Sequence, residues 1–216
     1  MNDVAKLITE CGKQMCESGL TSGTGGNISV FDRERGIMSI TPSGIPYPEI
    51  LEEQIMQIDV ESGEIIAGKG TPSSETSLHR IFYQRRTDLN ALVHTHSAFA
   101  TAFSCLRKTL PAVHYLIAVA GIDVPCAEYA SFGTVELAEN VFAAMTERKA
   151  CLMANHGLLA GGETLTEAYN VADTIEFCCR VYCHAKNYGE PRILDKEEME
   201  RMVLRFQSYG RQPTQS

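Results

Sequence analysis

Two histidines separated by one residue follow an apolar run in the middle of the chain. The run ends in Leu92-Val93, and the pair is His94 and His96. In a β-strand, side chains at positions i and i+2 point to the same face, so both imidazoles are expected to reach one spot. Neutral imidazole is the commonest nitrogen ligand of zinc, and the spacing therefore indicates a metal site. The alternative is a chance pair on a sheet surface, because short motifs often match by accident.

A third ligand is expected elsewhere, since a catalytic zinc ion usually takes three protein ligands and keeps one position open. The best candidate is His156, because residues 151–157 repeat the pattern of an apolar strand that ends in a histidine. The sequence therefore predicts one zinc ion bound by His94, His96 and His156.

Three loops of small polar residues and glycine lie beside the predicted strands. They cover residues 21–27, 41–44 and 71–75. The third opens a predicted helix, where free backbone N–H groups and the helix dipole attract anions, and Ser73 and Ser74 add hydroxyl donors. Each loop taken alone is equally consistent with a turn or a helix cap. Three such loops favour a phosphate pocket.

Hydrophobic periodicity predicts alternating helices and strands. The pattern indicates an amphipathic first helix that ends before Gly19 and hairpins over 28–40 and 55–67. Ser97 is predicted to cap a helix that reaches about residue 106, and Asp195 with Glu198 to begin the last helix. These elements would place the histidines and the polar loops at strand and helix ends.

Composition limits the class of protein. A chain of 216 residues with 44% hydrophobic and 21% charged content is typical of one globular domain, expected to span 1–216. No stretch approaches the ~20 apolar residues that cross a bilayer, and the first residues do not have the order of a secretory signal. We therefore expect a cytoplasmic protein. The net charge of −8 argues against non-specific binding to nucleic acid or to anionic membranes.

The eight cysteines are expected to be reduced thiols that fill small spaces in the core. Cys178, Cys179 and Cys183 do not have the spacing of a zinc knuckle. We therefore assign none of them to a disulfide or to a metal site.

Taken in order, the motifs resemble the class II aldolase/adducin superfamily, and within it most closely the L-fuculose-1-phosphate aldolases. The resemblance extends over nearly the whole chain. It is carried by segments 23–29, 41–44, 72–75, 94–96, 114–115, 129–134, 155–157 and 209–210. Each segment is weak alone, and the order and spacing make the set specific.

The resemblance implies an α/β fold, a three-layer α/β/α domain with a mixed, mostly antiparallel central sheet. It also implies a homotetramer with active sites at subunit interfaces. The matching zinc ligands are His94, His96, His156 and Glu75, and the resemblance makes Glu75 both a displaceable ligand and the acid and base. The positions that match phosphate-binding residues are Thr24, Gly26, Asn27, Ser43, Gly44, Ser73 and Ser74.

On the aldehyde side, the resemblance implies that Tyr115 acts from a neighbouring chain and that Phe132 and Tyr209 line the pocket. Gly25 departs from the family pattern, where alanine is frequent, which affects only the stiffness of the first loop. The implied reaction is the reversible cleavage of a ketose 1-phosphate, first of all L-fuculose 1-phosphate, to dihydroxyacetone phosphate and L-lactaldehyde.

The residues suit this chemistry independently of the resemblance. Retro-aldol cleavage leaves an enediolate, whose charge a Lewis-acid zinc ion can stabilise without a lysine Schiff base. A nearby carboxyl such as Glu75 can protonate the enediolate, and Tyr115 can take the proton of the cleaved carbinol.

Several alternatives remain open at this point. Within the superfamily they are a 5-deoxyribulose-1-phosphate aldolase, a methylthioribulose-1-phosphate dehydratase and a ribulose-5-phosphate 4-epimerase. Outside catalysis, the fold also serves adducin-like scaffolds, which fold alone does not exclude. The retained histidines and Glu75 favour an enzyme over a scaffold.

Overall fold

An eight-stranded sheet forms the centre of the protein in a computed structural model that describes residues 2–208. Its strands are β1 (Asn27–Asp32), β2 (Ile37–Ile40), β3 (Met56–Asp59), β4 (Ile65–Ala67), β5 (Ala91–Thr95), β6 (Cys126–Ala127), β7 (Ala150–Met153) and β8 (Gly157–Gly162). The strand order is β4-β3-β2-β1-β5-β8-β7-β6. All neighbours pair antiparallel except β6 and β7, which pair parallel. The mixed, mostly antiparallel sheet is confirmed.

Within residues 2–208, six α-helices cover this sheet. They are α1 (Asn2–Glu17), α2 (Thr76–Arg85), α3 (Ala98–Ser104), α4 (Val135–Ala144), α5 (Leu165–Tyr188) and α6 (Lys196–Ser208). Short 3-10 turns occupy Tyr47–Glu49, Glu52–Gln54 and Tyr115–Val119. No helix within these bounds is long and apolar enough to cross a membrane.

The sheet separates two hydrophobic clusters, which makes the fold three-layered. In β5, Ala91 and Val93 pack into the cluster that contains Ile175 of α5, whereas Leu92 packs into the cluster that contains Phe82 of α2. Because successive strand residues point to opposite faces, one continuously apolar strand serves both clusters. Helices α1, α3, α5 and α6 lie on the first side, and α2 and α4 lie on the second. The expected α/β/α architecture is confirmed.

The segment that contains His156 differs from the prediction of a strand ending in histidine. β7 ends at Met153, residues 154–156 form a tight turn, and β8 begins at Gly157. β8 was not predicted, because a strand that starts and ends in glycine has a weak strand pattern. Glycine is required at position 157, since a Cβ atom there would lie 2.3 Å from the Thr95 carbonyl oxygen on β5.

Ser97 occupies the N-cap position of α3, but its side chain makes no capping hydrogen bond. The cap is supplied by Glu176 of α5, whose carboxylate accepts from the backbone N–H groups of Phe99 (2.9 Å) and Ala100 (2.7 Å). The carboxylate of Glu176, which is distant in sequence, thus caps α3 in place of the predicted Ser97 side chain. The predicted start of α6 is confirmed, because the Asp195 carboxylate accepts from the Glu198 N–H over 2.8 Å.

Candidate active site

The three predicted histidines meet in one cluster where β5 pairs with β8. His94 lies in β5, His96 just after it, and His156 in the turn that precedes β8. The ring centroids are 4.8 to 5.0 Å apart. One ligand nitrogen from each ring lies within 4.8 Å of the others, and the Nε2 atoms of His94 and His96 are 3.0 Å apart. The pairing of the two strands therefore brings together histidines that are 60 residues apart in sequence.

A buried carboxylate completes the cluster. Glu75 precedes the first residue of α2 and is 4% exposed. Its Oε2 lies 3.2 Å from Nε2 of His94, and its Oε1 lies 3.5 Å from Nε2 of His156. Oε1 is buried and has no hydrogen-bond partner within residues 2–208. An unsatisfied buried carboxylate oxygen is costly unless another group satisfies it.

The protonation states in the cluster follow from burial and from charge. Burial, together with the neighbouring His94, lowers the pKa values of His96 and His156 to about 4, so both rings are neutral at pH 7. Burial opposes ionisation of Glu75, but His94 and His156 outweigh it and hold the pKa of the carboxyl well below its usual range. Burial also opposes charge on His94, yet the Glu75 carboxylate prevails and raises its pKa. Neutral imidazoles beside a carboxylate are a donor set for a divalent metal ion.

The residues present fit such an ion. Nδ1 of His94 donates to the Leu158 carbonyl oxygen over 2.9 Å, an outer contact typical of metal-binding histidines that directs Nε2 toward the cluster. Nε2 of His94 and of His156 lies within 3.5 Å of the Glu75 carboxylate. A divalent cation would take the place of the proton that Glu75 favours on His94 and would satisfy Oε1.

A cavity of about 400 Å³ opens beside the cluster. It contains each of the seven positions expected to bind phosphate, together with Glu75 and Phe132. The complete lining is Thr24, Gly25, Gly26, Asn27, Pro42, Ser43, Gly44, Ser73, Ser74, Glu75, His96, Tyr129, Ala130, Phe132, Asn155 and His156. The three small polar loops, which are separated in sequence, therefore converge on one pocket.

Close backbone packing holds the first loop against the histidine strand. Gly26 has φ +75°, and a Cβ atom there would lie 2.3 Å from the His94 carbonyl oxygen. Only glycine combines this backbone conformation with such an approach. The loop thus lies directly against the strand that carries two of the histidines.

Asn27 does more than line the pocket. Its Nδ2 donates to Oε2 of Glu75 over 2.8 Å, and its Oδ1 lies 2.5 Å from Nε2 of His79. One N–H of the amide and its carbonyl are thus committed to protein groups, which leaves the second N–H as the side-chain donor for an anion. Burial, aided by the neighbouring His94, lowers the pKa of His79 to about 3, so this ring is neutral.

Tyr115, expected on the aldehyde side, lies away from the pocket of its own chain. Tyr115 is not among the residues that line this chain's pocket; it is 48% exposed and its ring lies 4.7 Å from that of His114. Tyr209 lies outside the described residues.

Sequence reasoning did not assign His79, Tyr129, Ala130 or Asn155 to the site, although the last three lie in segments that carry the family resemblance. His79 had one available signal, a histidine one turn after Glu75 on the apolar face that carries Leu78 and Phe82. The other three are loop residues whose position depends on contacts between distant segments.

Comparison with known proteins identifies the family to which this chain belongs. Residues 6–183 match the model of the class II aldolase and adducin N-terminal domain. The chain belongs to the class II aldolase and adducin family. It is 49% identical over 205 residues to the 5-deoxy-D-ribulose 1-phosphate aldolase of Bacillus thuringiensis serovar kurstaki, covering 95% of this chain and 96% of that protein.

Further relatives of this class II aldolase show the same relationship. The L-fuculose phosphate aldolase of Escherichia coli is 41% identical over 211 residues, covering 97% of this chain and 96% of that protein. A solved structure described as L-fuculose 1-phosphate aldolase superposes with a TM-score of 0.94 at 50% identity, covering 96% of this chain and 97% of that one. The resemblance drawn from the motifs is confirmed, and the chain is a class II aldolase, a lyase by reaction class.

Proposed function

We propose that this class II aldolase is zinc-dependent and cleaves a ketose 1-phosphate reversibly into dihydroxyacetone phosphate and a short aldehyde. The observation that carries the proposal is one pocket in which a histidine–carboxylate cluster lies beside three small polar loops. The cluster suits a metal ion, and the loops suit a phosphate group. A substrate with a phosphate close to its carbonyl would contact both.

His94, His96, His156 and Glu75 are the proposed metal ligands, and Glu75 is a displaceable one whose carboxylate becomes free for proton transfer when substrate binds. The two neutral rings, His96 and His156, present free nitrogen lone pairs, which zinc requires of histidine. When bound, the zinc ion supplies Lewis-acid polarisation of the substrate carbonyl. The protein fixes the ring orientations, as the hydrogen bond from His94 to the Leu158 carbonyl illustrates.

The proposed phosphate site consists of Thr24, Gly26, Asn27, Ser43, Gly44, Ser73 and Ser74, all of which line the cavity. Ser73 and Ser74 directly precede Glu75 and the ten-residue helix α2, whose positive end attracts a dianion. The Ser73 hydroxyl accepts from the Glu75 N–H over 3.2 Å, so its own hydrogen is available to donate. Positive φ angles at Gly26 and Gly44 turn the other two loops at the cavity.

Proton transfer is assigned to Glu75 and Tyr115. Glu75 is buried, lines the cavity and is held ionised, so it can take a proton from the dihydroxyacetone phosphate carbon beside the carbonyl and return it. Tyr115 is proposed to act on the aldehyde half from a neighbouring subunit of a homotetramer. Its exposure and its absence from this chain's own pocket lining support that arrangement. Phe132 and Tyr209 are proposed for the aldehyde side.

L-fuculose 1-phosphate is the first proposed substrate, which would yield L-lactaldehyde. The L-fuculose 1-phosphate aldolase structure at 50% identity supports it. The second is 5-deoxy-D-ribulose 1-phosphate, which would yield acetaldehyde; the relative at 49% identity favours it. We further propose that residues 1–216 form one domain and that the enzyme acts in the cytoplasm in sugar-phosphate metabolism.

A product assay tests this function. Zinc-loaded protein is incubated with both ketose 1-phosphates, with 5-methylthioribulose 1-phosphate, with unphosphorylated L-fuculose and with ribulose 5-phosphate, and the products of each are identified. We expect about one zinc ion per chain, loss of activity on chelation, and dihydroxyacetone phosphate from the 1-phosphates alone. Equal cleavage of L-fuculose and its phosphate would show that the phosphate pocket is misassigned.

The same assay separates the alternatives. Epimerisation of ribulose 5-phosphate without release of dihydroxyacetone phosphate would indicate a 4-epimerase. Loss of water from 5-methylthioribulose 1-phosphate would indicate a dehydratase. A protein that binds no zinc and converts none of these compounds would be an adducin-like scaffold.

A further inference from the structure

A chain of buried side chains leads from the candidate catalytic carboxylate into the second hydrophobic cluster. Oε2 of Glu75 accepts from Asn27, whose Oδ1 lies 2.5 Å from Nε2 of His79. Nδ1 of His79 lies 2.6 Å from Oγ of Ser29, which lies 2.6 Å from the Tyr83 hydroxyl. All five residues are at most 4% exposed. Ser29, His79 and Tyr83 do not line the cavity, and their hydrogen-bonded connection to the site runs through Asn27.

The hydrogens in this chain can be placed by elimination. Asn27 presents its NH₂ group to Glu75, so it presents a carbonyl oxygen, which only accepts, to His79. Nε2 of His79 must therefore carry the hydrogen. The two partners of the ring are a neutral amide and a neutral hydroxyl, so the ring is neutral and its Nδ1 accepts from Ser29. Ser29 has then used its hydrogen and accepts from the Tyr83 hydroxyl, which also lies 3.2 Å from the Ser29 carbonyl oxygen.

All donors in the chain thus point one way, from Tyr83 through Ser29, His79 and Asn27 to Oε2 of Glu75. Hydrogen bonds in such a buried series strengthen one another. The groups from Tyr83 to Asn27 are neutral, and the series ends on the Glu75 carboxylate. The opposite oxygen of the same carboxylate, Oε1, is buried without a hydrogen-bond partner in the described part of the chain. The two oxygens therefore have different environments. Oε2 accepts from Asn27 and lies 3.2 Å from Nε2 of His94, whereas Oε1 accepts no hydrogen bond within residues 2–208 and has Nε2 of His156 3.5 Å away.

We propose that His79, Ser29 and Tyr83 are positioning residues that hold Oε2 of Glu75 through Asn27 and leave Oε1 as the oxygen that exchanges the proton with substrate. The inference rests on the proposed function, because it assigns one oxygen of the proposed base. In the forward step Oε1 takes the proton from the carbon beside the carbonyl, and the electron pair of that C–H bond stays on the substrate. In the reverse step Oε1 returns a proton to the same carbon, after the proton held on the carboxyl has exchanged with solvent in the exchange assay, so atoms and charge balance.

Matched substitutions at His79 test the positioning role. His79→Gln places an amide N–H near the position of Nε2, whereas His79→Leu fills the space without a donor. The measured quantity is solvent hydrogen exchange into dihydroxyacetone phosphate by zinc-loaded protein, with the zinc content, thermal midpoint and KM of each variant. We expect His79→Leu to lose roughly 10- to 100-fold in the exchange rate, as outer-shell partners typically do, with His79→Gln close to the parent and KM unchanged in both.

Two further variants keep the test decisive if His79→Leu does not fold. Asn27→Asp has the same shape but turns the donor that faces Glu75 into an acceptor, and we expect it to be the slowest variant. Tyr83→Phe removes the first donor while its ring stays stacked 4.9 Å from Phe31, and we expect a smaller loss. Equal exchange by His79→Gln and His79→Leu, or parent-rate exchange by Asn27→Asp, would overturn the proposal.

An activity-independent measurement separates this inference from the proposed function. Long-range ¹H–¹⁵N correlation spectra of the zinc-loaded protein report which imidazole nitrogen of His79 carries the hydrogen. We expect a neutral ring protonated at Nε2. The other tautomer, or a charged ring, contradicts the donor direction whatever the enzyme catalyses. A parent protein that shows the expected tautomer but no exchange into dihydroxyacetone phosphate would reject the proposed function and leave the donor direction intact.

Discussion

Arg107 donates a 2.8 Å hydrogen bond from its guanidinium Nε to the amide Oδ1 of Asn155. They are also the two non-glycine residues with positive φ within residues 2–208, at 52° and 53°. The Asn155 N–H donates to the Ser104 carbonyl oxygen over 3.4 Å. The turn that contains His156 is therefore tied to the end of α3 and to the segment that follows it, and its left-handed backbone lies next to a candidate metal ligand.

The hydrogen bond and the positive φ of Asn155 predict that different substitutions at this position lower stability by different amounts. Asn155→Gly keeps the left-handed backbone accessible and loses only the hydrogen bond, whereas Asn155→Ala loses both. We expect Asn155→Ala to lower the free energy of unfolding by ~1–2 kcal/mol more than Asn155→Gly, and to weaken zinc binding because His156 follows directly. Urea unfolding and zinc competition with a chelator measure the two effects. An alanine variant as stable as the glycine variant would show that the turn is not strained.

Two glycines with nearly the same backbone conformation form a matched pair. Gly26 has φ +75° and no room for a Cβ atom, whereas Gly19 has φ +76° and open space around it. We expect Gly19→Ala to cost ~1–2 kcal/mol of stability from the backbone alone. Gly26→Ala should cost more and should reduce zinc content, because the clash is with the backbone of His94. Unfolding curves and metal analysis of both variants provide the check, and equal losses would contradict the close packing of the loop.

The positions of the histidines and polar loops could be predicted from sequence because each depends on local pattern. His94 and His96 follow an apolar strand, and the loop before α2 is rich in helix-capping residues. Their convergence on one pocket could not be read from these patterns alone. It follows from the pairing of β1, β5 and β8, which depends on contacts between distant segments.

Other features of the site give no local signal. The cap of α3 comes from Glu176, 77 residues after Phe99 in the sequence. The bond between Asn27 and His79 spans 52 residues. Both hydrogen bonds form only in the packed fold. Glu176 and His79 are ordinary residues in their helices, so their local sequence does not indicate these partners. β8 was missed because the glycines that allow its close approach to β5 resemble turn residues in sequence.

The proposed contribution of Tyr115 to a neighbouring site predicts complementation. Tyr115→Phe chains lack the group proposed to take the carbinol proton, and His94→Ala chains lack a proposed metal ligand, so each homogeneous protein should be inactive in cleavage. Unfolding and refolding the two together should restore partial activity, since some hybrid sites combine an intact metal cluster with an intact tyrosine. Mixtures that stay inactive while forming hybrid oligomers would place Tyr115 in its own chain's site, or in none.

Buried His79 predicts a defined loss of stability in acid. Its pKa is lowered from 6.5 to about 3, first by burial and then by His94, so the unfolded chain binds a proton at a pH where the folded one does not. This contribution to stability is complete above pH 6.5 and is lost as the pH falls toward 3. Between these limits the parent should lose up to ~1.4 kcal/mol per pH unit more than His79→Gln.

The control for the acid experiment is internal. Both proteins are compared without metal and contain the same three candidate metal-binding histidines, so the difference between their unfolding free energies isolates His79. Parallel pH profiles of the parent and His79→Gln would mean that His79 titrates normally in the folded protein.

The central claim is that the histidine–carboxylate cluster binds zinc and that Glu75 moves the proton. It is tested most directly by solvent hydrogen exchange into dihydroxyacetone phosphate, without aldehyde, in zinc-replete parent and Glu75→Gln proteins. The account predicts rapid exchange by the parent. It predicts that His94, His96 and His156 retain zinc in the variant while exchange falls by ~100-fold or more, the scale of a lost general base. A zinc-replete Glu75→Gln protein that exchanges at the parent rate would contradict the account.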